Sequence, residues 1–201
     1  YTAAASLLKP TQAAASRYVI LTTQAIQAAS QQLANFVRSK ENRGFIVQVV
    51  TEETWGGGTG DVAAEHMRQW LQAHYLDLGI EYVLFIGNPD WVNGDVPMKM
   101  LWPSSSTSSD NSPSDYYYTD LTGNWDADGD GFYGEPDDLI VGGIDRNWEV
   151  LVGRIPYYGN LADLDHILAK LIAYENTGVA QSVWRQNVLL PMVPSDAFTP
   201  G

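Results

Sequence analysis

Three short apolar runs, separated by two amphipathic segments, set the pattern of the first part of the chain. They are RYVILTT at 17–23, FIVQVV at 45–50 and YVLFI at 82–86. Apolar runs of this length, rich in β-branched and aromatic residues, are typical of buried strands. We therefore predict three strands in this part of the chain.

The segments between these strands carry apolar residues at helical spacing. In the segment 24–40 these residues are Ile26, Ala29, Leu33, Phe36 and Val37. A glycine-rich turn at 55–60 precedes the second helix, for which Asp61 is an N-cap or first-turn acid. Gly79 is predicted to end that helix. Its apolar face comprises Met67, Trp70, Leu71, Tyr75 and Leu78.

The alternation of strands and helices with short connections predicts how the layers are arranged. Such connections are right-handed crossovers, so the strands are expected to be mostly parallel, with helices on both faces of the sheet. The expected fold class is therefore α/β, with three layers. In sheets of this kind functional residues gather at the carboxyl ends of the strands.

A long connection at 88–138 interrupts the alternation after the third strand. It contains the Ser-rich tract 103–114, which we predict to be a mobile insertion. A loop of this length inside a domain is usually functional or held in place by a ligand. The alternation resumes with a strand at 149–155, a helix capped by Asn160 and a fifth strand at 186–193.

The chain has 201 residues, which is enough for one domain or a large subdomain with its own core. We expect 1–201 to form a single α/β subdomain that begins with an irregular segment at 1–16. Because the chain stops soon after a predicted strand, we expect it to be truncated before a second subdomain.

An acidic, glycine-rich loop, NWDADGDGFYGEPDD at 124–138, ends the long connection. Carboxylates occupy loop positions 1, 3 and 5 as Asp126, Asp128 and Asp130, and a glycine occupies position 6. Phe132 at position 7 can offer its backbone carbonyl. Calcium needs about six to eight oxygen ligands close together, and alternating carboxylates on a tight turn provide them.

The closing ligand of this loop has more than one candidate. Asp137 falls at position 12, where EF-hand loops place a closing acid that is usually Glu. Glu135 or Asp138 could supply that ligand instead. Pro136 does not suit the exiting helix of an EF-hand, so we do not expect one. The predicted Ca²⁺ ligands are Asp126, Asp128, Asp130, Phe132, Glu135 and Asp137.

The acids of this region are unusually dense. Nine of the 24 acids lie between Asp110 and Asp138, and no Lys or Arg occurs between Lys99 and Arg146. A divalent cation is the simplest way to neutralise them. The alternative is an acidic, solvated turn, because Asp and Gly both favour turns.

Charge and composition restrict the class of protein. The net charge of −13 argues against nucleic acid and anionic membrane surfaces as partners. Cys is absent, which excludes disulfides, a thiolate zinc site and a cysteine nucleophile within these residues. No apolar run approaches the roughly 18 residues of a membrane span. A calcium site of moderate affinity fits extracellular calcium levels, so we expect a secreted, periplasmic or cell-surface protein.

Other candidate chemistry is weak. His66 and His74 are eight residues apart, not at the four-residue spacing that lets two histidines share a metal. His166 has acids beside it on its own helix, which favours surface pairing. The tyrosines at 116–118 could line a ligand surface, although packing under the long loop is the favoured interpretation.

Several of these pieces, in the same order, resemble the gingipain family of cysteine peptidases. The matching segments are the strand at 18–23, YVLFIG at 82–87, SDYYY at 114–118, the acidic loop at 126–135 and VGRIP at 152–156. The helix with IAYE at 172–175 resembles the one that closes the first subdomain in that family. The resemblance spans 17–193. It implies a caspase-like fold in a secreted, calcium-stabilised peptidase.

The departure from the family concerns catalysis. In gingipains the catalytic His and the nucleophilic Cys lie in a second subdomain, downstream of the matched region. This chain has no Cys, and none of its three His residues matches the family's catalytic position. A cysteine peptidase needs a thiolate beside an imidazole base. We therefore expect no catalytic residue in this chain.

Three hypotheses for the function follow. The first is the amino-terminal subdomain of a gingipain-like cysteine endopeptidase, which acts on proteins or peptides and whose catalytic subdomain lies beyond Gly201 or on a separate chain. The second is a non-catalytic calcium-binding module that kept the fold. The third is a carbohydrate-binding or adhesion domain that uses the tyrosines at 116–118. A downstream Cys in the gene distinguishes the first hypothesis from the second.

Overall fold

Six strands form two sheets in the computed structural model, which describes residues 15–104, 109–140, 143–144, 147–178 and 181–187. The strands are β1 (Arg17–Leu21), β2 (Ile46–Val50), β3 (Ile80–Gly87), β4 (Lys99–Leu101), β5 (Ser112–Ser114) and β6 (Leu151–Pro156). The main sheet has the order β2–β1–β3–β6, and all its pairs are parallel. The three predicted amino-terminal strands and the fourth at 149–155 are therefore confirmed.

Helices cover both faces of this sheet. They are α1 (Gln24–Ala29), α2 (Leu33–Glu41), α3 (Glu52–Trp55), α4 (Gly60–Leu78) and α5 (Leu161–Asn176). Successive residues of a strand point to opposite faces. Val19 and Leu21 of β1 accordingly pack with α4, whereas Ile20 packs with α1, α2 and α5. The predicted three-layer α/β fold is confirmed.

The helix ends follow local chemistry that the sequence already indicates. Gly79 adopts φ +64° and caps α4, as predicted, and Asp61 lies in the first turn of that helix after the N-cap Thr59. Asn160 caps α5 because its side-chain oxygen accepts the N–H groups of Ala162 and Asp163. Met67, Leu71, Leu164 and Leu168 are fully or almost fully buried beneath these helices, and each such side chain contributes about 1.5–3 kcal/mol.

The single helix predicted at 24–40 is wrong. The structure has two helices, α1 and α2, with a break at 30–32. Two groups hold the break: the Ser30 hydroxyl, which accepts the N–H of Leu33 at 3.0 Å, and the carboxylate of Asp165 on α5. It accepts the Ser30 hydroxyl at 2.5 Å and the N–H groups of Gln31 and Gln32 at 3.1 and 3.2 Å. These bonds replace the helical ones, so a partner distant in sequence overrides the local periodicity.

The long connection at 88–138 has more regular structure than the sequence predicts. Strands β4 and β5 pair antiparallel within it, and short 3-10 turns occur at Tyr116–Tyr118 and Pro136–Asp138. The Ser-rich tract is therefore not wholly a mobile insertion, because Ser112–Ser114 lies in β5; residues 105–108 lie outside the described part. Tyr117 and Tyr118 are buried beneath the connection against α4 and β3.

Two sequence predictions fall largely outside the described residues. Of the irregular segment 1–16, the structure describes only residues 15 and 16. Of the predicted fifth strand 186–193, residues 188–193 lie outside, and Gln186 belongs to a 3-10 turn, Val183–Gln186. Among the helices of the described residues, none has the length and apolar character needed to cross a membrane.

Candidate metal centre

The acidic loop is anchored in the core by its first aromatic residue. Trp125 is 4% exposed, and its ring packs edge-on against the rings of Tyr116 and Tyr117. Its carbonyl accepts the N–H of Gly134 at 2.8 Å, which joins the two ends of the loop. The loop therefore leaves the protein core and returns to it at the same place, and the packing of Trp125 fixes its two ends.

Five of the six predicted ligand residues come together in this loop. The carboxylate oxygens of Asp126, Asp128 and Asp130 lie within 4.8 Å of one another. A second group at the same spacing joins Asp128 to Glu135 and Asp137. Asp128 belongs to both groups, so the two groups adjoin at its carboxylate. This is the oxygen-rich arrangement that a hard divalent cation requires.

Backbone geometry explains how the first three carboxylates converge. The Asp128 carboxylate accepts the N–H of Asp130 at 3.2 Å, and the Asp130 carboxylate accepts the N–H of Phe132 at 2.8 Å. These Asx turns are local, so the sequence alone directs them. Gly131 has φ +86°, which permits the sharp turn predicted at loop position 6. The Phe132 ring packs on Trp102 at 4.9 Å, while the use of its carbonyl as a ligand stays a prediction.

The closing side of the loop is a 3-10 turn, not a helix. Pro136 starts this turn and Asp138 ends it. Within the described residues no α-helix lies between Leu78 and Leu161, so the expectation that this is not an EF-hand is confirmed. The turn brings Glu135, which is 4% exposed, and the exposed Asp137 to the same group, so both are candidate closing ligands.

Asp138, considered above as an alternative ligand, is placed differently. Its carboxylate is fully buried and accepts the backbone N–H groups of Ala127, Gly134 and Glu135. It therefore lies outside both groups of clustered carboxylates. Ligation by Asp138 is not supported by this geometry.

A buried lysine, which the sequence analysis did not single out, lies beside the loop. The Lys99 ammonium is 3.0 Å from Glu65 and 3.2 Å from Asp61, and it lies 3.5 Å from the centre of the Tyr133 ring. Burial lowers the pKa of Lys99, but the charges of Glu65 and Asp61 outweigh this and raise it above its ordinary value. Lys99 thereby connects α4 to a residue of the acidic loop.

Two buried arginines hold the connection that carries the loop. Arg154 of β6 forms a two-pronged ion pair with Asp115, with distances of 2.8 and 2.7 Å, and donates to the carbonyls of Val96 and Pro97. Arg68 of α4 donates to three backbone carbonyls, those of Tyr117, Asp120 and Gly123. The sequence could have indicated that Arg68 is buried, because this residue lies on the apolar face of the predicted helix, between Ala64 and Leu71.

The remaining candidate residues do not form a second site. His66 lies 2.8 Å from the carbonyl of Gly57, and His74 lies 2.7 Å from that of Trp70 and stacks on its ring. His166 is exposed on α5, on the opposite face of the sheet. Tyr117 and Tyr118 are 2% and 0% exposed and Tyr116 is half-buried, so these side chains offer little surface to a glycan, and the carbohydrate-binding or adhesion hypothesis stays a prediction.

Comparisons with known proteins agree with this fold. The family model described as Peptidase family C25 matches residues 11–192. A solved structure described as "Structure of Protease" has a TM-score of 0.51 and 15% sequence identity, over 80% of this chain and 28% of that chain. No curated protein sequence matches this chain significantly.

The fold and the family model together define a peptidase-type α/β domain. The chain belongs to peptidase family C25, the gingipain family, since the family model covers most of its length. This confirms the resemblance inferred from the sequence. The family is one of cysteine peptidases, whose activity is proteolysis. The chain spans about 28% of the solved protease chain that it resembles.

Proposed function

We propose that this chain is the amino-terminal, non-catalytic subdomain of a secreted gingipain-like cysteine endopeptidase. The observation that carries the proposal is the family match over residues 11–192, in a chain without any Cys. A cysteine peptidase requires a thiolate nucleophile beside a base. In this proposal the nucleophilic Cys lies outside these 201 residues, and its His partner lies there with it.

Strand β6 offers a surface for that catalytic part. Within the described residues β6 pairs with β3 along one edge only. Leu151 at its start is 40% exposed, and the nearby Trp148 is 61% exposed. Exposed apolar side chains favour association with further polypeptide. The proposal assigns this side of the sheet to contact with the catalytic subdomain.

The acidic loop is the proposed calcium site of this subdomain. Its ligands would be the carboxylates of Asp126, Asp128, Asp130, Glu135 and Asp137 and the carbonyl of Phe132. The clustering of these carboxylates supports this, because a divalent cation would offset the repulsion among them. Calcium would stabilise the connection that leaves β3 at the carboxyl edge of the sheet, where the substrate wall is expected.

Calcium removal tests the site. With calcium at about 100 times Kd, binding stabilises the folded state by about 2.7 kcal/mol, so a chelator should lower Tm by about 5–10 °C. Differential scanning calorimetry of the 201-residue chain measures this, with Asp128→Asn as the variant that should lose the effect. An unchanged Tm in chelator would show that the loop is a solvated acidic turn.

The peptidase assignment is tested on protein from the native source. Intact mass and free-thiol labelling should reveal a species well above 22.1 kDa with a reactive thiol. A peptidase assay on that species should show activity that thiol alkylation abolishes. The 201-residue chain alone should be inactive.

The absence of Cys also favours a second candidate, a non-catalytic calcium-binding module that kept the peptidase fold. This candidate predicts a thiol-free species of 22.1 kDa without a partner chain. The same mass measurement therefore separates the two candidates.

A further inference from the structure

The side chain of Asp138 closes the acidic loop from within. It is 0% exposed. One carboxylate oxygen accepts the N–H of Ala127 at 2.5 Å, and the other accepts those of Gly134 and Glu135 at 2.8 and 3.2 Å. Ala127 belongs to the entering side of the loop and the other two donors to the closing side. One buried carboxylate thus joins both sides.

The position of Asp138 is itself fixed by the backbone around it. Its carbonyl accepts the N–H of Ile144 at 3.1 Å. A Cβ at Gly143 would lie 1.8 Å from that carbonyl oxygen, so only glycine permits this approach. Its own N–H donates to the carbonyl of Glu135 at 3.1 Å. The hydrogen bonds that Asp138 accepts across the loop therefore depend on a fixed backbone position and not on a flexible side chain at the surface.

The residues that Asp138 holds are neighbours of the clustered carboxylates. Ala127 lies between Asp126 and Asp128, which contribute to the first group. Glu135, whose N–H is bound directly, belongs to the second group, and Asp137 precedes Asp138 in the chain. Asp138 therefore sets the spacing between the two groups of carboxylates through the backbone N–H groups that it binds.

We propose that Asp138 is a positioning residue, which sets the spacing of the carboxylates in the acidic loop without binding the cation. The inference rests on the proposed calcium function of the loop. A carboxylate suits this role because both its oxygens accept hydrogen bonds, whereas Asn would turn an amide N–H₂ toward backbone N–H donors. Asp138 therefore has a different function from Asp137, although the two are adjacent and chemically identical.

Europium(III), a hard cation with luminescence that reports coordinated water, is a suitable probe. In Asp138→Asn we expect the affinity for Eu³⁺ to fall about 10–100-fold, as for residues that orient metal ligands. The number of waters on the bound ion, from lifetimes in H₂O and D₂O, should equal the wild-type number. The matched variant Asp137→Asn should also weaken binding, but its bound ion should gain water.

A second readout needs no cation. In chelator, the amides of Ala127 and Glu135, whose N–H groups donate to Asp138, should exchange hydrogen slowly in the wild type and faster in Asp138→Asn, while the amides of β1 and β3 remain protected. If Asp138→Asn does not fold, Asp138→Glu replaces it. That variant keeps the charge but displaces the oxygens, and it should show the same loss of affinity.

The outcomes separate the inference from the function on which it rests. A gain of water in Asp138→Asn would make Asp138 a ligand and overturn the inference. Unchanged Eu³⁺ affinity in both Asp138 variants would also overturn it, because the residue would then be structural only. Absence of Eu³⁺ and Ca²⁺ binding by the wild type would overturn the proposed calcium function itself, and with it the positioning role.

Discussion

At the scale of single residues, buried charges explain how the connection after β3 is held. Arg154, Lys99 and Arg68 are each almost fully buried, and each bonds to groups of 96–123 or of the neighbouring helix. A buried charge is costly unless it is paired and hydrogen-bonded. These side chains therefore make the arrangement of the connection specific, because any other arrangement would leave charges without partners.

Substitution of Arg154 tests this role. Arg154→Met should destabilise the fold by about 3–5 kcal/mol, since the half-buried Asp115 loses its partner and two carbonyls lose their donor. Urea denaturation measures the change. Adding Asp115→Asn in the same chain should recover part of the loss, because no charge then remains unpaired. A loss below about 1 kcal/mol in the single variant would mean that this ion pair is only weakly coupled to the fold.

At the scale of elements, the break between α1 and α2 shows that a distant helix can end a local one. Asp165 accepts three hydrogen bonds from 30–32 and so acts as a cap supplied by α5. Burial raises the pKa of Asp165, but the bonds from Ser30, Gln31 and Gln32 outweigh this and lower it from its ordinary value of 3.8. The ionised form is therefore favoured by folding.

The sign of the pH dependence follows from this lowered pKa. Asp165 contributes stability above its unfolded pKa of 3.8, and that contribution is lost as pH falls through the lower pKa of the folded state. Asp165→Asn should cost about 0.5–2 kcal/mol at pH 7, because one of the two accepting oxygens becomes an amide N–H₂ that cannot accept a hydrogen bond from 30–32. It should also flatten the fall in stability below pH 4. Urea denaturation at several pH values measures the loss of stability and its pH dependence, with Asp77→Asn, at an exposed residue, as the control. Equal acid sensitivity of the wild type and Asp165→Asn would contradict the role assigned to Asp165.

At the scale of the whole molecule, an aromatic layer lies between the sheet and the acidic loop. Phe85 of β3 contacts Tyr118, which contacts Tyr117, and Tyr117 contacts Trp125 and Tyr133 of the loop. Burial, the largest cause, raises the pKa values of Tyr117 and Tyr118 well above the ordinary one. Burial and the nearby Glu175 raise the pKa of Tyr18, on the other face, to about 12.

Alkaline titration tests this layer. Because folding raises these tyrosine pKa values above 10, the folded state is favoured below pH 10 and loses that advantage as pH rises. We expect absorbance at 295 nm to rise in two phases, the later one coinciding with unfolding followed by circular dichroism. Tyr118→Phe should reduce the amplitude of the later phase. Tyr158→Phe should reduce the amplitude of the earlier phase, because Tyr158 is 76% exposed. A single phase that precedes unfolding would contradict the burial of this layer.

The sequence by itself determined the features that depend on neighbours along the chain. The strands follow from apolar runs, the ends of α4 and α5 from Gly79 and Asn160, and the turns of the acidic loop from alternating Asp and Gly. These rules act over a few residues, so a linear pattern contains them. The α/β class and the set of clustered carboxylates were predictable for this reason.

The tertiary structure alone decided the features that need partners far apart in sequence. The break before α2 depends on Asp165, more than 130 residues away, and the pairing of Arg154 with Asp115 spans 39 residues. Asp138 looked like one more candidate ligand, until folding placed the N–H groups of Ala127, Gly134 and Glu135 around it. A carboxylate binds whichever donors reach it, and only the packed chain determines which donors those are.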